Sequence, residues 1–164
     1  KLVHEELIVA KELADVAAYV RDSAPVLKRA SAAGKRLQPL LKAARTRAAQ
    51  AAAVEGYAVP LEAAVGDLRK LHAPPLVRPV QQSEIATYVA VAKRARELAA
   101  ALRHKKSGAQ ELHALQVAVA SGSSIAAQRA RIAAIKAFNR RVAHVRVLQT
   151  SAQREVTRLQ RSLG

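Results

Sequence analysis

Between Ser124 and Leu163 the larger apolar side chains recur as Ile132, Ile135, Phe138, Val142, Val145, Leu148, Ala152, Val156, Leu159 and Leu163. Steps of three and four keep them on one face of a helix. No proline interrupts the run, and Gly164 is a natural stop. At about 1.5 Å per residue, such a helix is roughly 60 Å long. A long amphipathic helix needs partners for its apolar stripe. The spacing therefore predicts that this helix is the element the other helices pack against, with its apolar seam buried.

The rest of the chain carries the same periodicity. Residues 2–21 form a first helix with Leu2, Val9, Leu13, Val16 and Val20 on one stripe, and Glu5, Glu12 and Asp15 on another side. Asp22-Ser23-Ala24-Pro25 reads as a break, with a kinked but continuous helix as the alternative. A second helix is expected from about Pro25 to Glu55. Gly34 and Pro39 either bend it or divide it near residue 34, and spacing kept on both flanks favours a bend. Gly56-Tyr57-Ala58-Val59-Pro60 predicts a stop and a new start, followed by a short helix over 61–72. The segment 73–79 holds Pro74, Pro75 and Pro79 and is expected to be extended. The next helix runs from about Pro79 to His104, burying Ile85, Tyr88, Ala92, Ala95, Ala99 and Leu102. Ser107-Gly108-Ala109-Gln110 opens the last helical region. Ser121-Gly122-Ser123-Ser124 either breaks that region, the favoured reading, or lies inside one very long helix.

No alternating β-branched run appears, so the fold class is all-α. Short connections predict an up-and-down antiparallel helical bundle of about four principal helices, a single domain over 1–164, with a very long C-terminal helix and a Pro-rich corner at 73–79. A dimer that completes its bundle through the long last helix is the alternative architecture. Composition agrees: 38 of 164 residues are alanine, while Tyr19, Tyr57, Tyr88 and Phe138 are the only aromatics. Small side chains suit closely packed helices.

Candidate chemistry is sparse. The chain has no cysteine, which excludes disulfides and thiolate zinc sites. Five histidines, His4, His72, His104, His113 and His144, show no pair at metal-binding helical spacing, and Glu111-Leu112-His113 sets its two groups about 200° apart. Ser121, Ser123 and Ser124 lack a partnered base, and Ala33-Gly34-Lys35-Arg36 lacks the rest of a phosphate loop. Glu5, Glu6, Glu12 and Asp15 read as a solvated or salt-bridged helix surface. The expectation is a protein that is not an enzyme and uses no cofactor or metal.

The net charge of +16 is unevenly spread: residues 1–22 are acidic and the later helices basic. On the last helix Arg129, Lys136, Arg140, Arg154, Arg158 and Arg161 oppose the apolar stripe. Such a face is a solvated surface or a sequence-indifferent grip on nucleic acid or another anionic polymer. No aromatic residues interleave to stack bases.

Leu68-Arg69-Lys70-Leu71-His72-Ala73-Pro74-Pro75, a following helix, then Phe138-Asn139-Arg140-Arg141 and Glu155-Val156-Thr157-Arg158-Leu159 resemble small secreted or lipid-anchored helical domains of GC-rich bacteria. Those often carry an L-x-x-L-x-x-P-P hinge between helical pairs. The resemblance covers about the last hundred residues and transfers no functional residue. It implies an extracytoplasmic bundle, secreted or in the cell envelope, with a cytoplasmic protein as the alternative. The first residue, Lys1, is consistent with a processed or cut N-terminus. The longest uncharged interval, residues 112–128, is too polar to span a bilayer. The function expected is a partner-binding or structural module, with sequence-independent binding of nucleic acid or an anionic wall polymer as the alternative; the partner is then an unknown protein, a second copy, or such a polymer.

Overall fold

The computed structural model describes residues 2–104, 109–122 and 125–163, which form five α-helices and no strand. They are α1 (Leu2–Ala43), α2 (Arg47–Lys70), α3 (Arg78–Arg103), α4 (Ala109–Gly122) and α5 (Ile125–Leu163). The all-α expectation holds.

The principal seam is on α2 and α3. On α2 it runs Ala51, Val54, Ala58, Leu61, Val65, Leu68; on α3 it runs Glu84, Tyr88, Val91, Ala95, Leu98, Leu102. Both alternate steps of three and four, the pattern of helices that interdigitate at a shallow angle. All six α2 positions are buried, as are Val91, Ala95 and Leu98 on α3. Gln81 of α3 reaches Leu68, while Arg103 reaches Glu55, so the two helices run antiparallel. The second half of α1 closes one side of this pair with Val26 and Ala30, and α4 contributes Leu115.

That seam corrects two boundaries. Gly56 and Pro60 do not end a helix, and 61–72 is no separate helix: α2 runs through both residues to Lys70. A proline inside a helix costs about 3 kcal/mol. Buried Val54, Ala58, Leu61 and Val65 flank Pro60 on both sides, each large side chain contributing about 1.5–3 kcal/mol by burial, and they hold the helix continuous.

The same holds for α1, where the break expected at 22–25 does not occur. The helix passes Pro25 and Pro39 without interruption, because Val26, Leu27, Ala30, Ala33, Leu37 and Leu41 pack on the core along its whole second half. Its end comes instead at Ala43, inside the helix expected over 25–55. Ala44 closes the last turn on Leu40, and Thr46 caps α2 by accepting from the Ala49 N–H at 3.1 Å. The Pro-rich corner lies where expected but is not extended throughout: residues 75–77 form a turn and Arg78 and Pro79 already belong to α3. Leu71 to Val77 is non-helical, Pro79 sits in the first turn of α3, and Val77 and Arg78 donate to the Pro74 carbonyl. α4 is described to Gly122 and α5 from Ile125; the cap expected at Ser107-Gly108 and the break expected at Ser121-Gly122-Ser123-Ser124 fall on residues 105–108 and 123–124, which lie outside the described residues.

The largest correction concerns α5, which is not the core. It packs on the first half of α1 and on α3. Glu12 meets Arg141 and Glu6 meets Gln149, so α1 and α5 are antiparallel. Phe138, Val142, Val145, Leu148 and Ala152 are half-buried in this contact. Ile132, Ile135, Val156 and Leu159, expected inside the seam, are 52%, 58%, 51% and 58% exposed. The register explains part of this: the Glu6–Gln149 pair sets Leu2 level with about residue 153, counting one residue per residue in opposite directions. Val156 and Leu159 lie beyond that level. Glu12 is half-buried against α5 and salt-bridged to Arg141, the second of the two surfaces expected for it.

Candidate polyanion-binding face

Arg29, Arg96, Arg103, Arg131 and Arg141 form ion pairs between helices, while Arg21 and Arg94 pair within their own helices. Arg96 on α3 forks onto Glu62 of α2, with Nε to Oε1 at 2.9 Å and Nη2 to Oε2 at 2.7 Å. It also donates Nη1 to Glu55 at 3.0 Å. Arg103 joins the same Glu55 carboxylate. The Arg103 hydrogen bond is the main reason the Glu55 carboxyl is held below its ordinary range, and Arg96 does the same for Glu62. Arg29 of α1 holds Asp67 of α2 at 2.7 Å, and Arg131 of α5 reaches Glu84 of α3 at 2.7 Å. These cations act between helices.

The predicted stripe on α5 stands apart from these pairs. Arg129, Lys136, Arg140, Arg154, Arg158 and Arg161 are all exposed on α5. None forms an ion pair with a carboxylate among the described residues; Arg140 bonds the Lys136 carbonyl at 3.4 Å. By helical angle they fall within about 60° of one another. The face runs from Arg129 to Arg161, roughly 48 Å of helix. It is not continuous: between Arg140 and Arg154 it is interrupted by the exposed apolar Val147. It therefore consists of two clusters about 20 Å apart, one of Arg129, Lys136 and Arg140, the other of Arg154, Arg158 and Arg161. Thr150, Thr157, Arg154, Arg158 and Arg161 line a shallow concavity on the second cluster.

The sequence reading missed the inward roles of Arg131 and Arg141 on the same helix. The signal was present, since at about 100° per residue both fall on the apolar side of α5 rather than on the basic stripe. Their carboxylates, Glu84 and Glu12, could not be named because they come from helices remote in sequence.

The other candidates are not brought together. All five histidines are exposed and lie on or beside different helices, and no cluster of metal-binding side chains occurs among the described residues. Gly34-Lys35-Arg36 lies inside α1 rather than in a phosphate-cradling loop. Among the described residues no helix is long and apolar enough to cross a membrane. Compared with models of protein families, with curated proteins and with solved structures, the chain matches none.

Proposed function

We propose that this chain is a non-enzymatic up-and-down helical-bundle module that holds an anionic polymer along α5. The observation that carries the reading is the division of arginines: those facing other helices have carboxylates, while the six stripe cations have none. Unneutralised charge on one face, here in two clusters, is what a phosphate or sulfate polymer needs, and Arg binds such groups with two parallel hydrogen bonds. With no aromatic platform beside the stripe, the grip is indifferent to sequence. An extracytoplasmic site, secreted or in the envelope, is part of the proposal and rests on the resemblance carried by Leu68–Pro75 and by the two α5 segments around Phe138 and Val156. An anionic wall polymer would then be the partner.

Binding of fluorescent duplex DNA and of heparin over a salt series tests the reading. If all six cations engage duplex phosphates, the logarithm of affinity falls with a slope near −5 in the logarithm of salt concentration. Replacing Arg140, Arg154 and Arg158 together by Glu should weaken binding by at least about a hundredfold at low salt. No binding at low salt, or affinity that does not change with salt, would reject it.

A further inference from the structure

Among the described residues the α1–α5 pair is covered on one side and bare on the other. In an antiparallel pair, turning the same way from the contact line reaches the same side on both helices. One side carries Glu12, Arg141, Ala134 and Ala137, and there the Pro75, Leu76 and Pro79 corner lies over the pair. On the other side the Glu6–Gln149 bond spans the two helices, and its register sets Leu13 level with Val142 and Val20 level with Ile135. Leu13, Val20 and Ile135 are 46%, 56% and 58% exposed. Val9, Val16 and Val142 are half-buried beside them.

We infer that a second copy of this chain covers this side, making a four-helix bundle from two α1–α5 pairs. The charges select both the occupant and the symmetry axis. By helical angle the charges flanking this side are Glu6 on the acidic α1 start and Arg146 on α5, because Glu12, Arg131 and Arg141 are already paired and the six stripe cations face outward. An acidic helix lying beside a basic one is self-complementary under a two-fold axis parallel to the helices, which sets each α1 against the partner's α5. A two-fold axis across the helices would stack acid on acid and base on base. The parallel axis keeps axial levels unchanged, so Val20 faces Ile135 of the partner subunit. The α1–α5 overlap is about 20 residues long and two helices wide, roughly 600 Å² per copy, the lower end of what stable dimers bury. The basic stripe stays outside, so the dimer carries two, and a long polyanion could engage both. The dimer itself does not depend on that polyanion reading.

Sedimentation equilibrium of the full chain at tens of micromolar should give twice the 17.5 kDa chain mass. Leu13→Gln with Ile135→Gln should raise the dimer dissociation constant about a hundredfold with helical circular dichroism unchanged. Val3→Gln with Leu7→Gln, exposed on another flank of α1, should leave the dimer intact. Because the chain has no cysteine, mixing a Val20→Cys chain with an Ile135→Cys chain should yield the mixed disulfide under mild oxidation. A monomer at this concentration overturns the inference. So does a dimer that survives Leu13→Gln with Ile135→Gln, or a chain that binds anionic vesicles as a monomer through these same positions.

Discussion

Gln81 is a buried amide whose Nε2 donates to the Leu68 carbonyl at 2.7 Å and the Leu71 carbonyl at 3.0 Å. The final carbonyls of a helix have no donor from their own helix, so this one side chain from α3 finishes the end of α2. Gln81→Leu keeps most of the volume, strands the Leu71 carbonyl and leaves the Leu68 carbonyl with only the Leu71 N–H at 3.2 Å, a cost of about 1–3 kcal/mol. Urea unfolding should show that loss, against almost none for the exposed neighbour change Gln82→Leu. Glu84 poses the complementary problem: its side chain is 11% exposed, while that of its partner Arg131 is 57% exposed. Arg131→Ala leaves a carboxylate in the core without its cation and should cost about 1–3 kcal/mol. Glu84→Gln returns Arg131 to water and should cost less. Burial, and then the Glu84 charge, push the Tyr19 hydroxyl up to about 12. Spectrophotometric titration of Glu84→Gln should therefore find Tyr19 ionising at lower pH.

At the scale of elements, prolines and surface carboxylates make opposite demands on the helices. Pro25 is exposed inside α1 and withholds a backbone N–H there. Pro25→Ala should stabilise the protein by about 1–3 kcal/mol, read as a raised melting temperature; destabilisation would mean that a bend at residue 25 is needed for packing. Between α2 and α3 the Glu55 and Glu62 carboxyls are held below the ordinary carboxylate value of 4.5 by Arg103 and Arg96. A lowered folded-state value favours folding at pH above 4.5, and that contribution disappears as pH falls through the folded value. The melting temperature should drop on acidification below about pH 4.5. The drop should be shallower in a chain carrying Arg96→Gln and Arg103→Gln, whose carboxyls have lost their cations.

Across the whole molecule, burial is uneven. Val54 and Leu68 are fully buried, and the α2–α3 seam around them is closed by the second half of α1 and by α4. Among the described residues the α1–α5 pair has no fully buried large side chain. Local opening is easiest where few apolar groups are buried. Amide exchange should therefore be slowest around Val54, Leu61, Ala95 and Leu98, and much faster along 141–161. Leu68→Ala should cost about 2–5 kcal/mol, while Val156→Ala should cost well under 1 kcal/mol. If the α1–α5 pair dimerises, protection over residues 9–20 and 135–145 should rise with protein concentration, and this dependence separates the dimer from a solitary chain.

Residue spacing determined that the chain is helical, that the corner at 73–79 interrupts it, and which α5 cations face away from the apolar stripe. Those features are local: they follow from periodicity, proline geometry and about 100° of rotation per residue. Tertiary structure decided where helices stop and which seam forms the core. Gly56, Pro60 and Pro25 weaken a helix taken alone, yet a three-and-four seam buried on both sides of them carries α1 and α2 through. The strongest stripe in the sequence, on α5, is half exposed in the structure, because periodicity names the face a helix can bury but not the surface available to bury it. Gln81 closing α2, and Glu84 accepting Arg131, depend on residues brought together by packing, which spacing along the chain does not encode.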